Sequence, residues 1–345
     1  MAETAERWPQ GGATRPASGR GAGVTASRAY AALDLGTNNC RLLIARPSPD
    51  GFVIIDAFSR IVRLGEGLAA TGRLSDAAIE RAVAALAVCA DKLRRRNVAL
   101  VRSVATEACR RAENGREFVA RVRSATGIHL DVIDAGEEAR LAVLGCQALL
   151  PPGDGLSLVF DIGGGSTELV LVEATGDRVR IVDWHSAPWG VVSLAEAAGA
   201  PRDADASAGL AAYGEMRARV REAFARFAET LPRGAEAPRL LGTSGTVTTL
   251  ASVHLGLPAY DRRAVDGLTV PAASMRAIST QLSGMTLAER ATLPCIGQER
   301  ADLVVAGCAI LDEILDIWPA EQLAVADRGI REGILRSLIG QRPTT

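Results

Sequence analysis

A short turn pattern occurs twice in this chain and constrains its fold more than any other feature. The segments LDLGTNNCRLLI, residues 33–44, and FDIGGGSTELVL, residues 160–171, both begin with an apolar residue, an aspartate, an apolar residue and a glycine. Each continues through small or polar residues into an apolar run, which predicts a strand, a turn and a second strand. Strand and helix patterns alternate after each copy. The duplication predicts two similar α/β domains that face each other across a cleft, with one large doubly wound sheet as the alternative.

The domain boundaries follow from composition and from the position of the two copies. Residues 1–29 are rich in glycine, alanine, serine, proline and arginine, which is typical of a disordered leader. We expect the first domain over residues 30–139 and the second over residues 140–327. A C-terminal helix is predicted over residues 328–340, and its packing against the first domain is an open expectation.

Charge and cysteine content argue against several classes of protein. The chain of 345 residues carries 39 basic and 40 acidic side chains, so its net charge of −1 offers no general surface for nucleic acid or for a membrane. No apolar run reaches the roughly 20 residues that span a bilayer. The six cysteines show no C-x-x-C spacing, which disfavours a disulfide or zinc framework. We therefore expect a cytoplasmic protein.

The glycines of the two turns suit the binding of anions. Glycine lets successive backbone N–H groups point toward one centre and form a nest for phosphate oxygens, and short polar side chains add donors. A third turn, LLGTSGTVTTL at 240–250, follows another apolar strand and offers Ser244 beside its glycines. A hairpin turn without a ligand is the alternative for one copy, but it explains two matching copies poorly. The predicted phosphate-binding residues are Gly36, Thr37, Asn38, Asn39, Gly163, Gly164, Gly165, Ser166, Thr167, Gly245 and Thr246.

Carboxylates are the groups left to perform chemistry. The three histidines are isolated in the sequence, and no cysteine signature of a phosphatase occurs. Phosphate would repel Asp34 and Asp161 unless a divalent cation lay between them, so both are predicted to hold Mg²⁺ directly or through water. Glu168 follows the second turn and alternates with the apolar face of its strand, so it is predicted to position a water in the cleft.

These motifs together resemble the exopolyphosphatase and guanosine pentaphosphate phosphohydrolase (Ppx/GppA) family, which belongs to the superfold of actin, hexokinase and the heat-shock chaperone ATPases. They occur in family order over residues 30–340. The resemblance implies two ribonuclease H-like domains around a central cleft. The matching segments are ALDLGTNNCRLLI, VATEACRRAENGREFVARV, DAGEEARLAVLG, FDIGGGSTELVLV, LGTSGTVTTLA, ERADLVVAGCAIL and ADRGIREGIL.

The resemblance implies a metal-dependent hydrolase. The family removes terminal phosphate from inorganic polyphosphate, or the 5′ γ-phosphate from guanosine pentaphosphate, with a divalent cation. The chain is similar to the short two-domain members, and because relatives often pair, a homodimer is an open expectation. A kinase of the same superfold and a non-catalytic sensor of phosphorylated nucleotides are the alternatives. The kinase would need an acceptor pocket and a longer adenosine-binding region, and neither is evident in the sequence.

The resemblance also assigns roles to single residues. Glu138, in GEEARL, matches the family's catalytic glutamate and is predicted to be the general base. Without the resemblance, stabilisation of a helix dipole would be the preferred explanation of Glu138 and its neighbour Glu137. A planar guanidinium can meet two phosphate oxygens, so arginines are predicted to clamp upstream phosphates. The predicted clamps are Arg41 and Arg110, with Arg300 and Arg331 as further contributors to a basic groove.

Overall fold

The computed structural model describes residues 28–151, 153–176, 178–199, 206–230 and 237–340. Residues 1–27 of the predicted leader lie outside the described residues, and the chain already forms a strand at Ala29. The strands are β1 (Ala29–Leu35), β2 (Asn39–Ser48), β3 (Gly51–Ile61), β4 (Val98–Ala105), β5 (Asp131–Val132), β6 (Gly155–Ile162), β7 (Thr167–Thr175), β8 (Arg178–Ala187), β9 (Arg239–Thr243), β10 (Thr269–Pro271) and β11 (Gln322–Ala326).

The helices follow the strands in an alternating order that matches the sequence pattern. They are α1 (Leu68–Thr71), α2 (Asp76–Arg95), α3 (Glu107–Arg111), α4 (Gly115–Thr126), α5 (Ala135–Cys146), α6 (Val191–Ala198), α7 (Ala206–Ala228), α8 (Gly245–His254), α9 (Arg262–Val265), α10 (Ala272–Ser283), α11 (Leu287–Ala291), α12 (Gly297–Arg300), α13 (Val304–Ile317) and α14 (Ile330–Gly340). In the ranges that the structure describes, no helix is both long and apolar enough to cross a membrane.

The strands form two sheets with the same topology. The first sheet has the order β3-β2-β1-β4-β5, and the second has the order β10-β11-β9-β6-β7-β8. In each sheet an antiparallel meander of three strands continues into strands parallel to its first strand, as β1 does with β4 and β6 does with β9. Strand β10 is an addition at the edge of the second sheet. The prediction of two similar ribonuclease H-like domains is confirmed, and the single doubly wound sheet is wrong.

Helices cover both faces of each sheet, which explains why the first strand of each domain is an almost continuous apolar run. In the first domain α2 and α4 supply one apolar layer, with Leu86 and Phe118 packed in the same core as Leu33 of β1. In the second domain the corresponding layer is larger, and Phe160 of β6 shares its core with Phe224 of α7.

Helix α5 lies between the two sheets. Its Leu141 packs in a core with residues of the first sheet, whereas its Val143 packs in a core with residues of the second. Helix α14 crosses α5 and contacts β1 and β2 of the first sheet. The boundary that we expected between residues 139 and 140 falls inside α5, because this helix belongs to the packing of both domains.

Candidate active site

The ends of three strands bring the predicted turns to one cleft. The β1–β2 turn comes from the first sheet, and the β6–β7 and β9–α8 turns lie at one edge of the second because β6 and β9 are parallel. Together they line a cavity of about 150 Å³. The predicted residues that line it are Asp34, Gly36, Thr37, Asn38, Asn39, Arg41, Glu138, Asp161, Gly163, Gly164, Gly165, Ser166, Glu168, Gly245, Thr246 and Arg300.

Close approach of the two domains explains the glycine triplet of the second turn. A methyl group on Gly164 would lie 2.9 Å from the Cβ of Thr37, and one on Gly165 would lie 2.7 Å from the Thr37 Oγ1. Both distances are shorter than a Cβ atom tolerates. None of the three glycines has a φ in the left-handed region, so the conformational freedom that we expected them to supply is not what the turn uses. Gly164 and Gly165 therefore remove side chains where the first turn packs against the second, whereas a methyl group on Gly163 would lie 2.9 Å from the carbonyl oxygen of Ser166 in its own turn.

The first turn is held in place from both domains. The N–H groups of Val62 and Arg63, which follow β3, both donate to the carbonyl oxygen of Asn38, at 2.8 and 3.0 Å. The side chain of Arg63 then reaches the second domain, where its Nη1 donates to the Oδ2 of Asp302 at 2.8 Å. Arg63 therefore connects the β1–β2 turn to the opposite side of the cleft.

The two aspartates occupy matching positions near the ends of β1 and β6. Burial raises the pKa of Asp161 to about 6, an effect that Arg41 opposes and that Asp34 reinforces. Burial also raises the pKa of Asp34. The Oδ1 atom of Asp34 is buried and has no hydrogen-bond partner among the residues that the structure describes.

These two carboxylates fit a hydrated Mg²⁺. A buried acceptor such as the Oδ1 of Asp34 calls for a cation or a water beside it. Among the described residues, no three His, Cys, Asp or Glu side chains come together as a ready-made metal site. Mg²⁺ commonly takes only one or two carboxylates and keeps several waters, so the donor set leaves positions for water and for substrate phosphate.

The first turn of α5 places Glu138 in the cleft. The side chain of Asp134 caps this helix by accepting from the N–H of Glu137 at 2.8 Å. Glu138 is only 7% exposed, and its Oε2 accepts from the Nη1 of Arg110 at 3.2 Å. Burial and the nearby Glu168 carboxylate raise the pKa of Glu138 well above its usual range. A carboxylate with a raised pKa is a stronger proton acceptor near neutral pH.

Glu168 lies on β7, directly opposite Asp161 of β6. Its Oε1 accepts hydrogen bonds from the hydroxyl groups of Ser166 at 2.7 Å and Ser186 at 2.9 Å. Burial and the charge of Asp161 raise its pKa to about 7. The two hydroxyl groups fix the orientation of this carboxyl in the cleft.

The duplicated hairpins carry opposite charges at equivalent positions. Arg41 lies opposite Asp34 across β1 and β2, just as Glu168 lies opposite Asp161 across β6 and β7. The first domain therefore offers the cleft a cation where the second offers a carboxylate. This arrangement suits a phosphoryl group that is held by one domain while a water is oriented by the other.

Two predicted phosphate contacts lie away from the cavity. The guanidinium of Arg110 donates to the Oε2 of Glu107 at 2.6 Å and to the Oε2 of Glu138 at 3.2 Å, so it holds the Glu138 carboxyl in place. This geometry favours a role in orienting Glu138 over the phosphate clamp that we predicted. The hydroxyl of Thr167 is turned away from the cleft and donates to the carbonyl oxygen of Trp189 at 2.7 Å.

The remaining cations differ in their access to the cleft. Arg41 lines the cavity, and its guanidinium forms no hydrogen bond or ion pair with any residue in the described ranges. Arg300 also lines it, and its Nη1 donates to the Oγ1 of Thr249 at 3.2 Å. Arg331, in the first turn of α14, does not line the cavity, although its charge lowers the pKa of Asp34 against the effect of burial.

Four polar residues that line the cleft were not in the predicted set, namely Thr106, Glu107, Ser244 and Thr249. Glu107 lies beside Gly165 and holds Arg110, and Ser244 and Thr249 border the third turn. The spacing of Glu107 and Arg110, three positions apart on a helix, is a signal from which their pairing could have been predicted.

Comparisons with known proteins agree on one family. The profile of the Ppx/GppA phosphatase family matches residues 43–342. Exopolyphosphatase 2 of Mycobacterium tuberculosis is 34% identical over 323 residues, which cover 90% of this chain and 98% of that protein. A guanosine-5′-triphosphate,3′-diphosphate pyrophosphatase of Aeromonas hydrophila is 28% identical, over 90% of this chain and 59% of that protein. The crystal structure of the Aquifex aeolicus Ppx/GppA family member superimposes with a TM-score of 0.72 at 30% identity, covering 92% of this chain and 99% of that one.

Proposed function

The chain belongs to the Ppx/GppA phosphatase family, and on that premise we propose that it hydrolyses the terminal phosphoanhydride bond of inorganic polyphosphate. Guanosine pentaphosphate, which carries the same kind of bond at its 5′ end, is the second candidate substrate. The observation that carries the proposal is the meeting of two glycine turns, one from each domain, around a single cavity that also contains Glu138 and Glu168.

The extent of the matches supports polyphosphate as the first substrate to test. The match to the M. tuberculosis exopolyphosphatase covers nearly all of that protein, at 98%. The match to the A. hydrophila pyrophosphatase covers only 59% of that protein. Both matches cover 90% of this chain, but a large part of the A. hydrophila protein has no counterpart in this chain, whereas nearly all of the M. tuberculosis protein has one.

Hydrolysis of a phosphoanhydride needs an oriented water, a group to accept its proton and positive charge on the transferring phosphoryl. Glu138 accepts the proton of the attacking water, and Glu168 orients that water through the carboxyl that the two serine hydroxyls hold. Backbone N–H groups of the glycine turns and the guanidinium of Arg41 bind the phosphoryl oxygens. Mg²⁺, when bound through Asp34 and Asp161, adds charge that neutralises the phosphates.

Phosphate release from each candidate, measured side by side, tests the proposal. The purified protein is incubated with polyphosphate, with guanosine pentaphosphate, and with ATP plus glucose, and orthophosphate and ADP are quantified. We expect orthophosphate from polyphosphate. ADP formed only with an acceptor would indicate a kinase, and binding without turnover would indicate a sensor. Either of these two results would overturn the proposed hydrolysis.

Removal of divalent cations is expected to stop phosphate release. With EDTA the charge of the phosphates and of Asp34 and Asp161 is left uncompensated, so activity should fall to the background and return when Mg²⁺ is added in excess. Circular dichroism of the EDTA-treated protein serves as the control for intact fold. Undiminished phosphate release in EDTA would remove the proposed metal role of both aspartates.

A cytoplasmic location, a homodimer, and the absence of nucleic-acid and membrane partners stay predictions. They rest on composition and on the resemblance to the family.

A further inference from the structure

Ser244 has a backbone conformation that its residue type does not favour. It lies between β9 and α8, with φ 115° and ψ 169°. This region is essentially restricted to glycine, because the Cβ atom of any other residue is strained there. Arg63 and Asn97 are the other described non-glycine residues with positive φ, and both lie near 48°, in the ordinary left-handed region. Ser244 therefore carries the largest departure of this kind in the described chain.

Helix capping does not explain the serine. A serine at this position normally has an extended backbone, and its hydroxyl accepts from an N–H group in the first helical turn. The side chain of Ser244 makes no such bond. The first turn of α8 is held through the main chain instead, because the carbonyl oxygen of Ser244 accepts from the hydroxyl of Thr248 at 2.9 Å. A glycine would provide the same carbonyl without strain.

The hydroxyl of Ser244 forms no hydrogen bond that would stabilise the described part of the protein. Its Oγ is buried and has no hydrogen-bond partner among the described residues. The residue lines the same cavity as the glycine turns, and it is followed by Gly245, next to which the guanidinium of Arg41 lies. A buried hydroxyl without a partner is destabilising, as is the strained backbone. Two unfavourable features therefore coincide at one residue in the wall of the cleft.

We propose that Ser244 is a substrate-binding residue whose hydroxyl donates a hydrogen bond to a non-bridging phosphate oxygen of the phosphorylated substrate. Ser244 lines the cavity, and a phosphate bound there supplies the partner that its hydroxyl lacks. The hydroxyl rotates freely about its C–O bond, so it meets a phosphate oxygen without a change of the main chain. This inference rests on the proposed phosphoanhydride hydrolysis, and it adds a contact from the third turn.

Two substitutions separate the hydroxyl from the backbone strain. Ser244→Ala removes the hydroxyl and keeps the strain, whereas Ser244→Gly removes both. We expect kcat/KM for polyphosphate to fall about 10- to 100-fold in both variants, because a hydrogen bond to a charged phosphate is lost. We expect neither variant to have a lower Tm than the wild type, and we expect the Tm of Ser244→Gly to lie about 1–4 °C above that of Ser244→Ala, because only glycine also relieves the backbone strain. A residue with a purely structural role would lose activity and stability together.

Asn97→Gly is the matched control. Asn97 has a positive φ of 48°, is exposed, and lies outside the cleft in the connection between α2 and β4. Its replacement by glycine should leave kcat/KM at the wild-type value. If Ser244→Ala retained a kcat/KM within twofold of wild type, the inference would be overturned.

A binding measurement distinguishes failure of this inference from failure of the proposed function. Inorganic tripolyphosphate is titrated calorimetrically into Glu138→Gln and into the double variant with Ser244→Ala, so that the ligand is not consumed. A Kd weakened about 10- to 100-fold by loss of the hydroxyl supports the contact even if the wild-type protein hydrolyses neither substrate. An unchanged Kd overturns the contact even if hydrolysis is observed.

Discussion

Replacing Glu138 by glutamine is expected to reduce phosphate release about 10²- to 10⁴-fold while leaving substrate binding nearly intact. General-base catalysis contributes rate accelerations of this size, and glutamine cannot accept the proton of the attacking water. The amide keeps the shape of the side chain and its hydrogen bond to Arg110, so the helix and the cleft should not rearrange. Single-turnover phosphate release and calorimetric binding of tripolyphosphate measure the two quantities separately.

Glu137→Gln is the matched control, one residue away in the same helical turn. The Glu137 carboxylate pairs with Arg102 at 2.7 Å and with Arg140 at 2.6 Å, and it does not line the cavity. Its loss should cost no more than about 1 kcal/mol of stability and should not change turnover. Equal activity losses in the two variants would show that the first helical turn, and not the Glu138 base, is what matters.

The raised pKa of Glu138 predicts a pH dependence of turnover that also tests its role as the general base. Only the unprotonated carboxylate accepts a proton, and burial together with Glu168 raises the pKa of Glu138. Turnover by the wild-type protein should therefore decline as the pH falls through this raised pKa, at a higher pH than an ordinary glutamate would give. If the residual turnover of Glu138→Gln does not decline over this pH range, the decline in the wild-type protein is caused by protonation of Glu138.

The two-domain architecture could be predicted from the sequence because the turn pattern occurs twice. Two copies of strand, aspartate, glycine turn and strand predicted two like domains, and the sheets have matching strand orders. The same register places Asp34 and Asp161 at equivalent positions, and this could be read from the alignment of the two segments alone. Local pattern and its repetition were sufficient, because strand pairing within a hairpin is a short-range property.

Contacts between distant segments could not be predicted in this way. The glycine triplet stands out in the sequence, but two of its members, Gly164 and Gly165, are required by the approach of Thr37 from the other domain, which no local pattern encodes. Arg110 was assigned to phosphate because it carries a guanidinium, and its place behind Glu138 depends on how α3 packs beside α5. The predicted domain boundary falls inside α5 for a related reason. A helix that packs against two sheets has no break in its own sequence, so nothing local shows that it belongs to both domains.

The crossing of α5 and α14 supplies the last prediction, because it permits no side chain at its contact points. A methyl group on Gly333 of α14 would lie 2.0 Å from the carbonyl oxygen of Leu141, and one on Gly145 of α5 would lie 2.0 Å from that of Gly329. Both obstacles are backbone atoms, which cannot rotate away as a side chain can. Gly333→Ala must therefore push the two helices apart, and we expect it to lower the free energy of unfolding by about 1–3 kcal/mol.

Gly214→Ala is the matched control, because it replaces a helical glycine by alanine at a position without a close packing contact. Gly214 lies on the exposed face of α7, and a methyl group there would meet no atom within 4 Å. The same substitution should there stabilise the protein by up to about 1 kcal/mol, because alanine is the better helix former. Chemical denaturation measures whether the free energy of unfolding falls or rises in each variant. Phosphate release should fall only in Gly333→Ala, because α5 carries Glu138 and α14 begins at Ile330, which lines the cavity. If the two variants changed stability in the same direction, the helix crossing would not be the constraint that fixes Glu138 relative to the first sheet.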